Sequence, residues 1–377
     1  MVPADLGAWL TRTLVPAWIA RTVVAGSPGY VESFTHAGEP DPAPARTTLV
    51  TARLVYVYSH AYLLRPDPAA LAAAQHGVAF LLTRCRGSDG RFRHRVQPDG
   101  TAIDDRTDLY DLAFVLFALA WFARASGDRQ VLTAADEIDA FMEAELARPN
   151  GGFAEDSLGT LPRRQNPHMH LLEAFHALAE TTGEARWLDR ARAIVRLTEA
   201  SLFDRETGSL GEFFTGDWQP WPGERGRLRE PGHHFEWVWL LAHHARLTGE
   251  RHGLGLADRL HAFGLRHGIA ALPDGSPLVL DEIDRNGTPV ATTGLLWPQT
   301  EAIKAFSARL EAGDASAGAR LDAHLATIFR HFVDADTGLW HNQVTAEGEP
   351  VRAAIPVRVL YHLVLALAEV TRVRGLP

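Results

Sequence analysis

One cysteine, Cys85, stands among 377 residues. That excludes an internal disulfide and fits a reducing compartment, so a cytoplasmic location is expected. No uninterrupted apolar run reaches about 18 residues, which predicts no membrane span. The first residues include Asp5 and show no basic region followed by a small-residue cleavage site, so no signal peptide is read. Positive charge is in deficit as well. A net charge of −9 and a pI near 6.0 leave no basic stripe, which argues against nucleic acid and anionic membrane as partners. Strand signals are few. A glycine-rich phosphate loop and a nucleophile elbow are both missing.

What is present is helical. A hydrophobic content of 46% with 22% charged residues describes a soluble globular chain. The 18 histidines and 10 tryptophans suit a pocket that handles a polar ring compound. Apolar periodicity predicts twelve helices near residues 4–23, 48–65, 68–84, 107–126, 128–147, 167–182, 184–202, 233–248, 251–269, 293–311, 314–333 and 357–374. Short turns such as Thr182-Gly183-Glu184 and Thr248-Gly249-Glu250 alternate with long connections at about 24–47, 86–106, 148–166, 203–232, 270–292 and 334–356. The long ones are rich in Gly, Pro and Asp, and several look like hairpins.

Alternate helices carry polar groups in their first turns, where a buried helix would carry leucine. Arg53, Tyr110, His170, His233, Gln299 and His362 mark these clusters at intervals of about 60 residues, which reads as six helix-pair repeats in one closed domain over 1–377. If the marked helices form an inner ring, their N-termini and the long connections gather at one mouth. The expected fold is all-α, an (α/α)6 barrel. Helix N-termini bring partial positive charge to that mouth.

Each cluster also has a structural reading. Arg53, Tyr56 and His60 share one helix face, and Arg53 could simply pair with a buried carboxylate. Asp108 reads as an N-cap, and Asp111 as a structural hydrogen bonder. Asn166, His170 and Glu173 share a face, while His168 points elsewhere and reads as a surface or cap residue. A zinc site on His168 and His170 is disfavoured, because helical metal pairs use i, i+4. Trp297, Glu301 and Lys304 share a face with Gln299 beside them; Arg358 and His362 share another. No His, Asp or Glu set has metal-ligand spacing, so neither metal nor cofactor is expected.

His233 and His362 come from non-adjacent inner helices, so both can reach a substrate between them. Glu236 would orient one imidazole, and Arg53 would hold negative charge developing on a substrate oxygen. Two histidines and an arginine without a cofactor motif suit proton abstraction beside a carbonyl, through an enediolate.

The runs Asn166 to Ala174, Gly232-His233-His234-Phe235-Glu236-Trp237, Trp297-Pro298-Gln299-Thr300-Glu301-Ala302 and Tyr361-His362-Leu363 together resemble the N-acylglucosamine 2-epimerase superfamily over essentially the whole chain. That superfamily includes N-acylglucosamine and cellobiose 2-epimerases and mannose and sulfoquinovose isomerases. The resemblance implies an (α/α)6 barrel acting on a monosaccharide, with His233 and His362 as the acid/base pair and Arg53, His170 and Glu236 assisting. His233 is preferred to His234 because it stands three residues before Glu236. Tyr110, Asn166, His170, Glu236, Trp297, Gln299 and Glu301 are the candidate substrate contacts. The Trp-Pro-Gln-Thr-Glu run looks most like the mannose isomerases, so mannose–fructose isomerisation is expected, in a monomer or homodimer. A sugar 2-epimerase of mannose/glucose, N-acylglucosamine or cellobiose type is the alternative. An inverting glycoside hydrolase would need two carboxylates from Asp111, Glu236 and Glu301, and it leaves the histidines unexplained. A non-catalytic sugar-binding or protein-binding barrel would not need the histidines either.

Overall fold

The structure is a computed structural model that describes residues 1–41, 45–351 and 353–375. Positions 42–44 and 352, inside two of the long connections, lie outside the described residues, as do 376–377. Six inner helices, Thr48–Leu64, Leu109–Ser126, Gln165–Thr182, Pro231–Thr248, Leu296–Glu311 and Leu360–Arg374, touch in that order, and the last touches the first. Outer helical segments at 6–22, 68–85, 132–146, 185–202, Leu254–His267 and 316–332 complete the pairs. The expected (α/α)6 barrel is therefore present, and the helix boundaries fall within a few residues of the periodicity. A further short helix, Glu224–Arg227, sits inside the fourth long connection.

Position in the barrel explains composition. Inner helices are buried on nearly all sides, and their apolar residues run all the way round. Leu109–Ser126 is long and apolar enough to pass for a membrane span, with mean hydropathy 1.4 over 18 residues. A count of uninterrupted apolar residues misses this helix because Tyr110, Asp111 and Arg124 interrupt it. It is a core stave, 78% buried between its neighbours. Outer helices such as Ala185–Leu197 bury one stripe, here Trp187, Ala191, Ile194 and Val195, and face arginines outward. Gly249 ends the helix Pro231–Thr248 in the left-handed region at φ 74°, a conformation that costs glycine nothing.

The long connections form a closed girdle. The residues just before each inner helix pair antiparallel with the next connection round the ring. Arg46–Thr47 pairs with Arg95–Val96, Asp108 with Asp156, and Arg163–Arg164 with Phe213–Phe214. Leu228–Arg229 pairs with Ile283 and Asp284, Gly294–Leu295 with Gln343–Val344, and Ile355–Pro356 returns to Ser33–Phe34. Each ladder is only a few residues long, which is why strand periodicity is faint in the sequence.

Side chains in the first helical turns pin the hairpins. His168 accepts from the Phe153 amide through Nε2 (3.0 Å) and donates through Nδ1 to the Arg164 carbonyl (3.2 Å). His234 repeats this with Leu210 N (3.0 Å) and Glu230 O (2.9 Å). Gln299 does the same with an amide, accepting from Val279 N (2.8 Å) and donating to Leu295 O (2.9 Å). Burial holds both imidazoles neutral, with pKa values lowered to about 3 and about 4. His168 is thus a buried clamp and not a surface or cap residue. Gln299 is a clamp and not a substrate contact. These three share one helical register, and His170, Glu236 and Glu301 share the next, two residues on. The markers His233 and Gln299 fall outside that second register, so the six-fold repeat lies in the helix pairs rather than in the marker positions.

Replacing His168 by Ala leaves the buried Phe153 amide without a partner. The expected loss is roughly 1–3 kcal/mol of unfolding free energy, the cost of an orphaned buried donor, read as a lower urea midpoint. A midpoint equal to that of the parent would mean the clamp contributes nothing.

Candidate active site

At the girdled mouth, the N-terminal turns of the inner helices enclose a cavity of about 190 Å³. Its walls include Arg53, Tyr110, Asn166, His170, Glu230, His233, Glu236, Trp297, Asn342, Arg358 and His362. Larger hollows exist, one of about 580 Å³ towards the C-terminal ends of the inner helices. Volume does not locate the site; convergence of polar groups at the helix N-termini does.

His233 and His362 face this cavity from different helices, with Trp297 between them. The indole centroid lies 4.9 Å from the His233 ring and 5.7 Å from the His362 ring. Gly232 makes that packing possible, since a Cβ there would come within 2.6 Å of the indole. Arg53 donates to Tyr110 Oη (2.7 Å) and to the Arg358 carbonyl (3.2 Å). Its guanidinium stacks over Phe114 at 4.2 Å and makes no ion pair with a carboxylate among the described residues. The Asn166 side-chain oxygen is buried without a partner. His60, in contrast, bonds Tyr56 Oη (2.7 Å) and lines the 580 Å³ hollow, so the helix face shared with Arg53 divides between two environments.

The two central imidazoles differ electrostatically. His233 Nδ1 donates to Glu212 Oε2 at 2.9 Å, with Glu230 Oε2 at 3.5 Å. Burial alone would discharge His233, but Glu212 and Glu230 outweigh it and raise its pKa to about 10. His362 goes the other way. Burial, then the positive groups Arg53 and Lys304, hold it well below the ordinary histidine value. Its Nδ1 lies 2.7 Å from Glu301 Oε1, and Glu301 Oε2 lies 2.5 Å from Lys304 Nζ. Burial, then neighbouring Glu236, hold the Glu301 carboxyl well above the ordinary carboxylate range, with Lys304 pulling against them. The Lys304 ammonium at 2.5 Å favours the ionised carboxylate, and that form accepts Nδ1–H of His362 and leaves Nε2 bare towards the cavity. One imidazolium and one neutral imidazole thus flank the same cavity.

Several sequence readings change here. Glu236 does not orient His233; it lies 3.5 Å from Lys304, and the partner of His233 is Glu212. Glu301 does not line the cavity; it stands behind His362. His170 is neutral, lowered to about 3 by burial, with Nδ1 3.0 Å from Glu173. Asp111 binds His94 at 2.7 Å and Asp108 caps its helix, both structural as read. The sequence reading missed Glu212, Glu230 and Asn342, since Glu212 and Asn342 lie within long connections and Glu230 stands just before its helix. The run Gly211-Glu212-Phe213-Phe214, a carboxylate amid apolar residues, was the available signal.

Three sets of ligand-type atoms converge within 4.8 Å: His170–Glu173–Glu236, Glu212–Glu230–His233 and Glu236–Glu301–His362. This corrects the inference from sequence spacing, which cannot see residues brought together by different helices. In two sets a proton or an ammonium already bridges the carboxylates, Nδ1–H of His233 in one and Lys304 in another; in the third the Tyr361 hydroxyl donates to Glu173 Oε2 alone.

A helical barrel with an imidazolium and an imidazole facing one small rim cavity is a frame for proton transfer on a small polar ligand. The sequence matches the N-acylglucosamine 2-epimerase (GlcNAc 2-epimerase) family over residues 29–366. It is 34% identical over 374 residues to the mannose-6-phosphate isomerase of Rhizobium meliloti (strain 1021), covering 97% of this chain and 95% of that one. It is 30% identical over 365 residues to the D-mannose isomerase of Thermobifida fusca, covering 89% and 88%. The cellobiose 2-epimerase of Spirochaeta thermophila DSM 6192 superposes with a TM-score of 0.87 at 27% identity, covering 98% of this chain and 96% of that one. The chain belongs to the N-acylglucosamine 2-epimerase family, whose members are sugar isomerases and epimerases.

Two outcomes follow from the charges. Glu212→Gln removes the anion that favours the imidazolium, so the His233 titration, expected near pH 10 when followed by NMR, should move down towards 6.5. Because the folded pKa of His233 lies above its unfolded value, its stabilisation is complete below about pH 6.5 and lost as pH rises towards 10; the variant should lack that slope. A titration that stays put would remove Glu212 from the pair. Sugar turnover, in turn, should survive exhaustive chelation. Loss restored by one divalent ion would assign a metal to one of the three convergent sets.

Proposed function

We propose that the protein is an aldose–ketose isomerase interconverting D-mannose and D-fructose through a cis-enediolate, without metal or cofactor. The observation that carries this reading is that two imidazoles from different helices flank one cavity, His233 backed by Glu212 and His362 by the Glu301–Lys304 pair. Neutral His362 takes the C2 proton of the open-chain aldose through Nε2. The C2–H electron pair becomes the C1–C2 double bond, and the carbonyl electrons move to O1. Arg53 holds that oxygen, and His233 protonates it. The O2 proton then passes to His233 as C2 becomes the carbonyl, and His362 returns its proton to C1. Both histidines end as they began.

Tyr110, Asn166, His170, Glu236 and Trp297 are the proposed sugar contacts, with Glu230, Asn342 and Arg358 added to them. A cavity of about 190 Å³ lies below the roughly 300–1,000 Å³ of pockets for drug-sized ligands, which favours one sugar ring over two. Return of the proton to C2 on the opposite face would instead give the 2-epimer. An inverting hydrolase fits less well, because Glu236 and Glu301 both lie against Lys304. The proposed setting is cytoplasmic, as a monomer or homodimer; buried Cys85 has its thiol pushed up to about 12.

The test is mannose carrying deuterium at C2, run beside mannose 6-phosphate, the sugar class named for the Rhizobium relative. Fructose should form first, with part of the label at C1 and the rest exchanged to solvent. Glucose with solvent hydrogen at C2, appearing ahead of fructose, would make the protein an epimerase. Turnover confined to the phosphate ester would move the substrate assignment, and an untouched label in every sugar would end the isomerase reading.

A further inference from the structure

Lys304 is the only lysine in the chain; every other side chain counted as basic is an arginine. It is fully buried and does not line the cavity. Its Nζ lies 2.5 Å from Glu301 Oε2, 3.5 Å from Glu236 Oε1 and 4.5 Å from the centre of the Trp239 ring. A guanidinium is a wide planar fork, whereas an ammonium is a compact point charge. The space between two carboxylates and an indole suits the compact group.

The contact continues to the catalytic pocket. Glu301 offers its second oxygen, Oε1, to His362 Nδ1 at 2.7 Å. We propose that Lys304 is a positioning residue that sets the protonation pattern of His362: its ammonium keeps Glu301 ionised, ionised Glu301 accepts Nδ1–H of His362, and Nε2 is left free towards the cavity. The proton pattern is independent of the isomerase reading; only its use as a carbon base rests on that reading.

Every charged neighbour fits this arrangement. Glu301 lies on the same helix, Glu236 and Trp239 on Pro231–Thr248, and Glu173 on Gln165–Thr182. Burial disfavours the ammonium, but Glu301, Glu236 and Glu173 together reverse that, and the net shift of Lys304 is upward. His362 feels positive charge from Arg53 and His233 as well as Lys304. Without the ammonium, two buried carboxylates would face each other, and Glu301 would take a proton from solvent. That proton would point at His362 Nδ1, and the imidazole would keep its own proton on Nε2. The base would then be blocked although no cavity-lining residue had changed.

The chain offers an unusually clean measurement, because protein labelled with [ζ-15N]lysine has a single lysine signal. In the parent it should remain an ammonium from about pH 6 to about pH 9. With 15N-histidine, and His362 assigned by its loss in His362→Gln, Nδ1 should be protonated and Nε2 bare. In Lys304→Met that pattern should reverse, with kcat lower by at least about 100-fold and KM within about threefold, as for lost acid–base function with intact binding. A neutral Lys304, a parent His362 protonated on Nε2, or an unchanged tautomer in Lys304→Met would overturn the proposal. The parent measurements decide it even if the variant fails to fold. If no sugar is turned over by the parent, the kinetic arm falls with the functional reading, while the two 15N patterns still decide the role of Lys304.

Discussion

Six inner helices begin at one rim, and the backbone groups of the connections that reach that rim must find partners once it is covered. The girdle of short antiparallel ladders answers that constraint, each connection pairing with the next until Ile355–Pro356 meets Ser33–Phe34. The pairing fixes more than loops. It places Glu212 beside His233, and it brings Asn342, next to the ladder Gly294–Leu295 with Gln343–Val344, to the cavity wall. The clamps His168, His234 and Gln299 hold the same hairpins from the helix side. Scaffold and site therefore share one set of hydrogen bonds.

Adjacent His233 and His234 show how a helix divides labour within a single turn. His234 turns back to the Glu230 carbonyl and the Leu210 amide, spends both ring nitrogens there, and is neutral. His233 turns inward, meets Glu212 and carries a charge. On the opposite wall His362 shares the cavity with His233 but leans on Glu301, whose own charge is matched by Lys304. Burial is similar for all three rings. The groups behind each ring set the difference, and a pair of imidazoles in opposite states is what reversible proton transfer between carbon and oxygen needs.

Much of the barrel was legible in the sequence, because helix periodicity and glycine-marked turns are local signals. Arg53, Tyr110, Asn166, His170, His233, Glu236, Trp297 and His362 stand out as polar residues where an apolar helix should be dry, and all eight line the cavity. Gln299 and Glu301 carried the same signal and do not line it. A side chain in the first turn can point at the pocket, back at its own hairpin or sideways at a neighbouring helix, and composition does not separate the three.

By itself the sequence determined the helix pairs, the alternation of short and long connections, and the set of polar residues delivered to one rim, since each depends on neighbours within a few positions. Tertiary structure alone decided which imidazole is charged. Glu212 lies 21 residues from His233 and Glu301 lies 61 from His362, and those partners meet only when the ring closes. A proton's position depends on charges within a few ångströms, and spacing along the chain carries no record of that distance.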